Sequence, residues 1–167
     1  MSHRSSTYAG IAVAAGLSLA TLAFAPSACA QAPAPAGDSL PQRLANADVG
    51  RGKTAALQCR ACHTVNEGGK PLIGPNLWGV VGRPKGSQDN FKYSPVMKEK
   101  DGNWTLEELD QFITDPKAFV PGTIMPFAGI ADAAQRADVL VFLNSLSKEP
   151  APLPKAAAES GVGPKAQ

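Results

Sequence analysis

Apolar positions along the chain fall into distinct regimes, and each predicts a different kind of segment. From Tyr8 to Ala25 they run nearly unbroken and without charge. From Val49 to Leu146 they recur at helical spacing, interrupted by loops rich in glycine and proline. Asp48 is placed to cap a helix running through Val49, Ala55 and Ala56 to Cys59. Thr105 with Glu108 makes a capping box, followed by Leu106, Leu109, Phe112 and Ile113 at helical spacing. A short helix is predicted at SPVMKEK, and one helical turn fits between Pro116 and Pro121. Asp132 opens a last helix, in which Val139, Leu140, Phe142, Leu143 and Leu146 form a stripe facing the core. From Thr64 to Gln88 the text (GGKP, IGPN, GRPKG) reads as loop. No strand pattern competes. The prediction is an all-α fold of about four to five short helices joined by long loops.

The flanks read differently from this middle. Arg4, the uncharged run and Ala28-x-Ala30 have the order of a secretory signal over residues 1–30, with cleavage expected after Ala30. The rival is an uncleaved membrane anchor, although the run is slightly short and rich in alanine for a span of ~20 residues. Acylation at Cys29 is disfavoured, because Pro26 stands where such sites want a large aliphatic residue. Residues 31–46 (QAPAPAGDSLPQRLAN) have the composition of a semi-rigid linker. Residues 150–167 (PAPLPKAAAESGVGPKAQ) have that of a disordered tail. One compact domain is left, at 47–149, whose small core a buried prosthetic group would enlarge.

The candidate chemistry sits at residues 59–63, CRACH. Cys-x-x-Cys alone is compatible with a redox dithiol, half a zinc site or a haem attachment. The histidine directly after it makes the c-type haem signature. Counting supports this choice. After cleavage the chain keeps one histidine, His63, and two cysteines, Cys59 and Cys62. A structural zinc ion needs four protein ligands, and adjacent Cys62 and His63 cannot easily reach one tetrahedral ion together. A thioredoxin-like dithiol needs a βαβ setting that the pattern before Cys59 lacks. Haem c is therefore expected, bonded to Cys59 and Cys62 with His63 on the iron. With no second histidine, bis-histidine ligation and a second haem are excluded by the count. Methionine is then the natural sixth ligand. Met97, in the predicted short helix, reads better as a flexible core filler. Met125, in the proline-stiffened loop VPGTIMPF, is the expected ligand.

From about Asp48 to Lys148 the chain resembles a class I cytochrome c of the mitochondrial and bacterial periplasmic type. The resemblance rests on CRACH, IGPNLWGVVGR, FKYSP, NWTLEEL, DPKAFVPGTIMPFAGI and RADVLVFL, which follow one another in the family's order and spacing. It implies the class I fold, wrapped around one covalent haem. It also implies that the Pro75 carbonyl accepts a hydrogen bond from the His63 ring. Arg83 is implied to neutralise a buried haem carboxylate, helped by Tyr93, Trp104 and Thr123. Phe127 is implied to lie against the haem near its exposed edge, and Gly52 to allow the first helix to cross the last at Phe142.

Three positions depart from the family pattern. Phe112 replaces a tyrosine that in many relatives bonds the methionine sulfur. Met97 replaces a polar residue of a buried water network, and Ala56 an aromatic at the helix crossing. The lysines that ring the haem edge in mitochondrial relatives are here Gln58, Leu72, Ile124 and Ala131, with Lys117 retained. From Gln31 onward the chain has 15 basic and 14 acidic residues. A monomer with an apolar docking face is expected. It would carry single electrons in a periplasmic respiratory or photosynthetic chain, between a quinol-oxidising complex and a terminal oxidase, dehydrogenase or reductase. The alternatives are a haem subunit of a larger oxidoreductase and a ligand-binding or peroxidase-like protein with a labile sixth ligand. Neither a basic patch nor interleaved aromatics support nucleic-acid binding.

Overall fold

The structure, a computed structural model, describes residues 39–154. The expected signal or anchor at 1–30 and the tail from residue 155 onward lie outside the described residues. Within them are seven helical segments: α1 (Leu40–Ala45), α2 (Val49–Ala55), α3 (Leu57–Arg60), α4 (Pro95–Lys98), α5 (Leu106–Thr114), α6 (Pro116–Phe119) and α7 (Ala133–Ser145). None is long and apolar enough to cross a membrane. Extended pairing among the described residues is confined to one antiparallel bridge between Pro84 and Asn103.

Side chains set the starts of α2, α5, α6 and α7. Asp48 accepts from the Arg51 N–H at 2.8 Å, and Asp132 from the Gln135 N–H at 2.8 Å. Thr105 and Glu108 form the full capping box of α5, each side chain accepting the other's backbone N–H. Asp115 ends α5 and caps α6, accepting from Lys117 and Ala118.

The helix count exceeds the expected four to five for two reasons. The segment from Val49 to Cys59 is broken at Ala56, where α2 ends and α3 begins. The expected linker at 31–46 ends in α1, which is helical rather than a tether. Composition alone obscured this. Pro41 falls in the first turn, where its missing N–H costs nothing. Leu40 and Leu44, one turn apart, pack onto the core, and Leu44 is buried. The Arg43 guanidinium reaches Asp110 in α5 and donates to the Ala133 carbonyl of α7 at 2.9 Å. At the other flank, residues 150–154 form no helix, and the buried Asn144 amide pairs with both backbone groups of Ala151 at 2.9 Å.

α7 is the axis of the fold, buried continuously from Arg136 to Asn144. A helix apolar on one stripe only would not be sunk so deep; here its buried polar residues, Arg136, Asp138 and Asn144, are paired. Asp138 accepts from Arg51 and from the Asp48 N–H, while Arg136 donates to Asp110 and to the Ile130 and Ala131 carbonyls. α2 crosses α7 at Gly52, where a Cβ would overlap the Asp138 carbonyl and come within 2.9 Å of the Phe142 Cβ. Ala56 is buried beside this crossing. Val139 and Leu143 of α7 face a cavity whose other walls are the loops and short helices.

Candidate functional site

The CRACH turn forms one wall of that cavity. The Cys62 and His63 N–H groups both donate to the Cys59 carbonyl, at 3.1 and 3.0 Å. This tight turn at the end of α3 gathers two thiols and an imidazole onto one surface. Cys59 and Cys62 are half-buried and form no disulfide with each other. The Gly74 N–H donates to the Cys62 carbonyl at 2.8 Å and the Leu77 N–H to the Thr64 carbonyl at 2.9 Å. The loop at 74–77 is thereby tied alongside, and the Pro75 carbonyl lies 2.6 Å from His63 Nδ1. With Nδ1 engaged, Nε2 is the ring nitrogen free to bind. Burial pushes the Cys59 thiol up. Burial, reinforced by the Arg83 charge and opposed by the Pro75 hydrogen bond, pushes the imidazole down, so His63 is favoured in its neutral, metal-binding form.

Thr123, Met125 and Phe127 enter the same cavity from the loop after α6. Gly122, at φ +89°, turns the chain there, and Thr123 Oγ accepts the Met125 N–H at 3.3 Å. Phe112 and Met97 are buried in the cavity wall, as are Leu109 and Ile113. Among the described residues the Met125 sulfur has no hydrogen-bond donor.

Arg83, Tyr93 and Trp104 complete the lining. The Arg83 guanidinium donates to the Asn76 carbonyl, the Trp78 carbonyl and Gln88 Oε1 at 2.9, 3.2 and 2.8 Å. All three acceptors are neutral, and no carboxylate pairs with Arg83 among the described residues. Burial pushes the guanidinium pKa down and the Tyr93 hydroxyl up. Ser94 was missed by the sequence reading. Standing before Pro95 it looks like a helix cap, yet its side chain caps nothing. It is 5% exposed, lines the cavity, and its Oγ has no partner.

These features fit a porphyrin bearing carboxylates. An apolar cavity carries two thiols on its edge, one imidazole nitrogen and two thioethers, of which Met125 comes from the loop and Met97 from the buried wall. A cation without a counter-ion and an orphaned buried hydroxyl both call for an anionic acceptor.

A family model described as cytochrome c matches residues 49–147. The chain belongs to the cytochrome c family. It is 49% identical over 126 residues to a "cytochrome c homolog" of Bradyrhizobium diazoefficiens, covering 75% of this chain and 68% of that one. It is 49% identical over 90 residues to the "cytochrome c-type cyt cy" of Rhodobacter capsulatus, covering 54% and 44%. Cytochrome cH from Methylobacterium extorquens has a similar structure, with a TM-score of 0.56 and 36% identity, covering 59% of this chain and 98% of that one. The fold is accordingly the cytochrome c fold, and the chain is an electron-transfer cytochrome that carries haem c bonded to Cys59 and Cys62.

Proposed function

We propose that the chain is a one-electron carrier whose single haem is held by His63 and Met125. The observation that carries this reading is the convergence of Cys59, Cys62, His63 and Met125 on one cavity. When bound, haem supplies reversible one-electron exchange at its iron. The chain's part is to hold and tune it. Pro75 orients the His63 ring and fixes its tautomer. Thr123 braces the backbone that presents Met125. Arg83, Ser94, Tyr93 and Trp104 receive the buried carboxylates, and Leu109, Phe112, Ile113 and Leu143 keep water out. Among the described residues no general acid or base stands beside His63 or Met125, which favours electron transfer over catalysis. The test is the ferric spectrum of the purified holoprotein at neutral pH. A weak sulfur-to-iron charge-transfer band near its red end is expected, and its absence would remove Met125 from the iron.

The second reading, a ligand-binding or peroxidase-like protein, draws on the missing donor at the Met125 sulfur, where Phe112 offers none. Rapid carbon monoxide binding by the ferrous protein would favour it.

The sequence over residues 1–30 supports export to the periplasm, with retention as a membrane anchor as the alternative. Docking to periplasmic or membrane-bound redox proteins falls to the mouth of the cavity. Ile73 and Ile124 line it at 71% and 63% exposure, with Leu72 beside them at 58%, so the complementary partner surface is apolar.

A further inference from the structure

The backbone joins Arg83 and Trp104 of the cavity directly. Trp104 donates its N–H to the Arg83 carbonyl at 2.9 Å, and the Gly82 N–H donates to the Trp104 carbonyl at 2.8 Å. The Lys85 N–H donates to the Gly102 carbonyl at 3.0 Å, and Gly102, at φ +80°, makes the turn. Residues 82–85 and 102–104 thus form a short antiparallel clip that carries Arg83 and Trp104 side by side.

Lys85 bolts the clip to α5. Its side chain is 5% exposed, unusually deep for a lysine. Its ammonium donates to the Asp101 carbonyl and to Glu108 Oε1, both at 2.8 Å, and lies 5.6 Å from the centre of the Trp104 ring. Three donors thus have three partners: the turn, the capping box of α5, and the indole face. Phe112 and Phe119 pack on the same ring, with centroids at 5.0 and 6.2 Å. The indole N–H has no partner among the described residues, whereas buried tryptophan N–H groups ordinarily find one.

We infer that Lys85 is a positioning residue for the haem, holding Trp104, and through the clip Arg83, against the carboxylates the cavity receives. This rests on the haem reading of the cavity. Lys85 lines none of that cavity and acts through Trp104. When the indole is held, its N–H offsets carboxylate charge and favours the reduced protein. When the indole is loosened, that charge is less well masked and the oxidised protein gains.

The experiment is a double-mutant cycle on holoprotein, read as midpoint potential. Lys85→Met is expected to raise the oxidised-to-reduced ratio about threefold at fixed ambient potential, a fall of roughly 28 mV at 59 mV per tenfold. In a Trp104→Phe background the same substitution is expected to produce no shift. A Lys85→Met protein with lowered thermal midpoint but unchanged potential would make Lys85 a structural staple only and overturn the inference. So would an undiminished shift in the Trp104→Phe background. Should Trp104→Phe yield no holoprotein, Lys85→Arg decides: a cation restored over the ring is expected to recover most of the shift, and no recovery overturns the inference. Failure of the haem reading is separate, since it would appear as wild-type protein without covalent haem.

Discussion

Nδ1 of His63 lies 2.6 Å from the carbonyl oxygen of Pro75, and the preceding residue, Gly74, is packed against the same imidazole. A Cβ at Gly74 would overlap the ring. Gly74→Ala is therefore expected to push the imidazole from its position and break the Pro75 hydrogen bond. In the purified protein the outcome is a low yield of haem-loaded chain and loss of the low-spin absorption spectrum. A normal spectrum at normal yield would show that the loop at 74–77 yields easily and that Pro75 does not hold the ring.

Met125 and Met97 both enter the cavity, but only Met125 sits in a loop braced by Thr123. Met125→Ala is expected to abolish the ferric charge-transfer band and to open the ferrous protein to carbon monoxide. Met97→Leu, a change of similar volume in a buried wall, should keep the band and cost less than about 1.5 kcal/mol of stability. The reverse pattern would exchange their roles.

Asp110 ties three helices, accepting from Arg43 of α1 and from Arg136 of α7. Burial acts to raise its carboxyl, and the hydrogen bonds and charges of the two arginines outweigh this, leaving it below the ordinary range. A carboxyl held low in the folded chain contributes stability that is complete above the unfolded value of about 4 and is lost as pH falls through the folded value. Asp110→Asn is expected to destabilise by about 3 kcal/mol at neutral pH, because it removes the carboxylate charge that Arg43 and the buried Arg136 share. It should also flatten the fall of stability in acid. Denaturant midpoints measured from neutral pH down to about pH 3 check both. Equal slopes in variant and wild type would remove Asp110 from the acid transition.

The mouth of the cavity is flanked by Ile73 and Ile124, and among the described residues no lysine lines the cavity. Electron transfer to oxidase-containing membranes should therefore change by less than about threefold from ~0.01 M to ~0.1 M ionic strength, although the screening length contracts from about 30 to about 10 Å. Ile124→Lys should slow transfer at an apolar partner and introduce salt dependence. A steep wild-type salt dependence would mean that docking uses a charged surface elsewhere.

Gly52 gives α2 its close approach to α7. Gly52→Ala forces a methyl group into the Asp138 carbonyl, and a loss of about 2–3 kcal/mol is expected in chemical denaturation of the holoprotein. A loss below about 0.5 kcal/mol would mean that the crossing relaxes freely.

Local chemistry made much of this legible in advance. The caps at Asp48, Thr105 and Asp132 act within three residues of themselves, so the starts of α2, α5 and α7 could be read from sequence. CRACH is equally local, because its spacing alone draws two thiols and an imidazole onto one turn. Counting one histidine after the expected cleavage site narrowed the sixth ligand to two methionines without any fold. Other features depended on partners far along the chain. Leu40 and Leu44 read as linker because the surface that buries them, on α7, lies some 90 residues away, as the Arg43 bond to Ala133 records. Ser94 drew no assignment from the sequence, because only the closed cavity shows that its hydroxyl has been left free. Lys85 fell within GRPKG, read only as loop, since nothing nearby in sequence brings Asp101, Glu108 and the Trp104 ring around it. Sequence by itself determined which covalent chemistry the chain can perform, because that follows from side-chain identity at short spacing. Tertiary structure alone decided which buried charges and hydroxyls are satisfied by protein and which are left for the haem, because satisfaction depends on groups that meet only when the chain closes on itself.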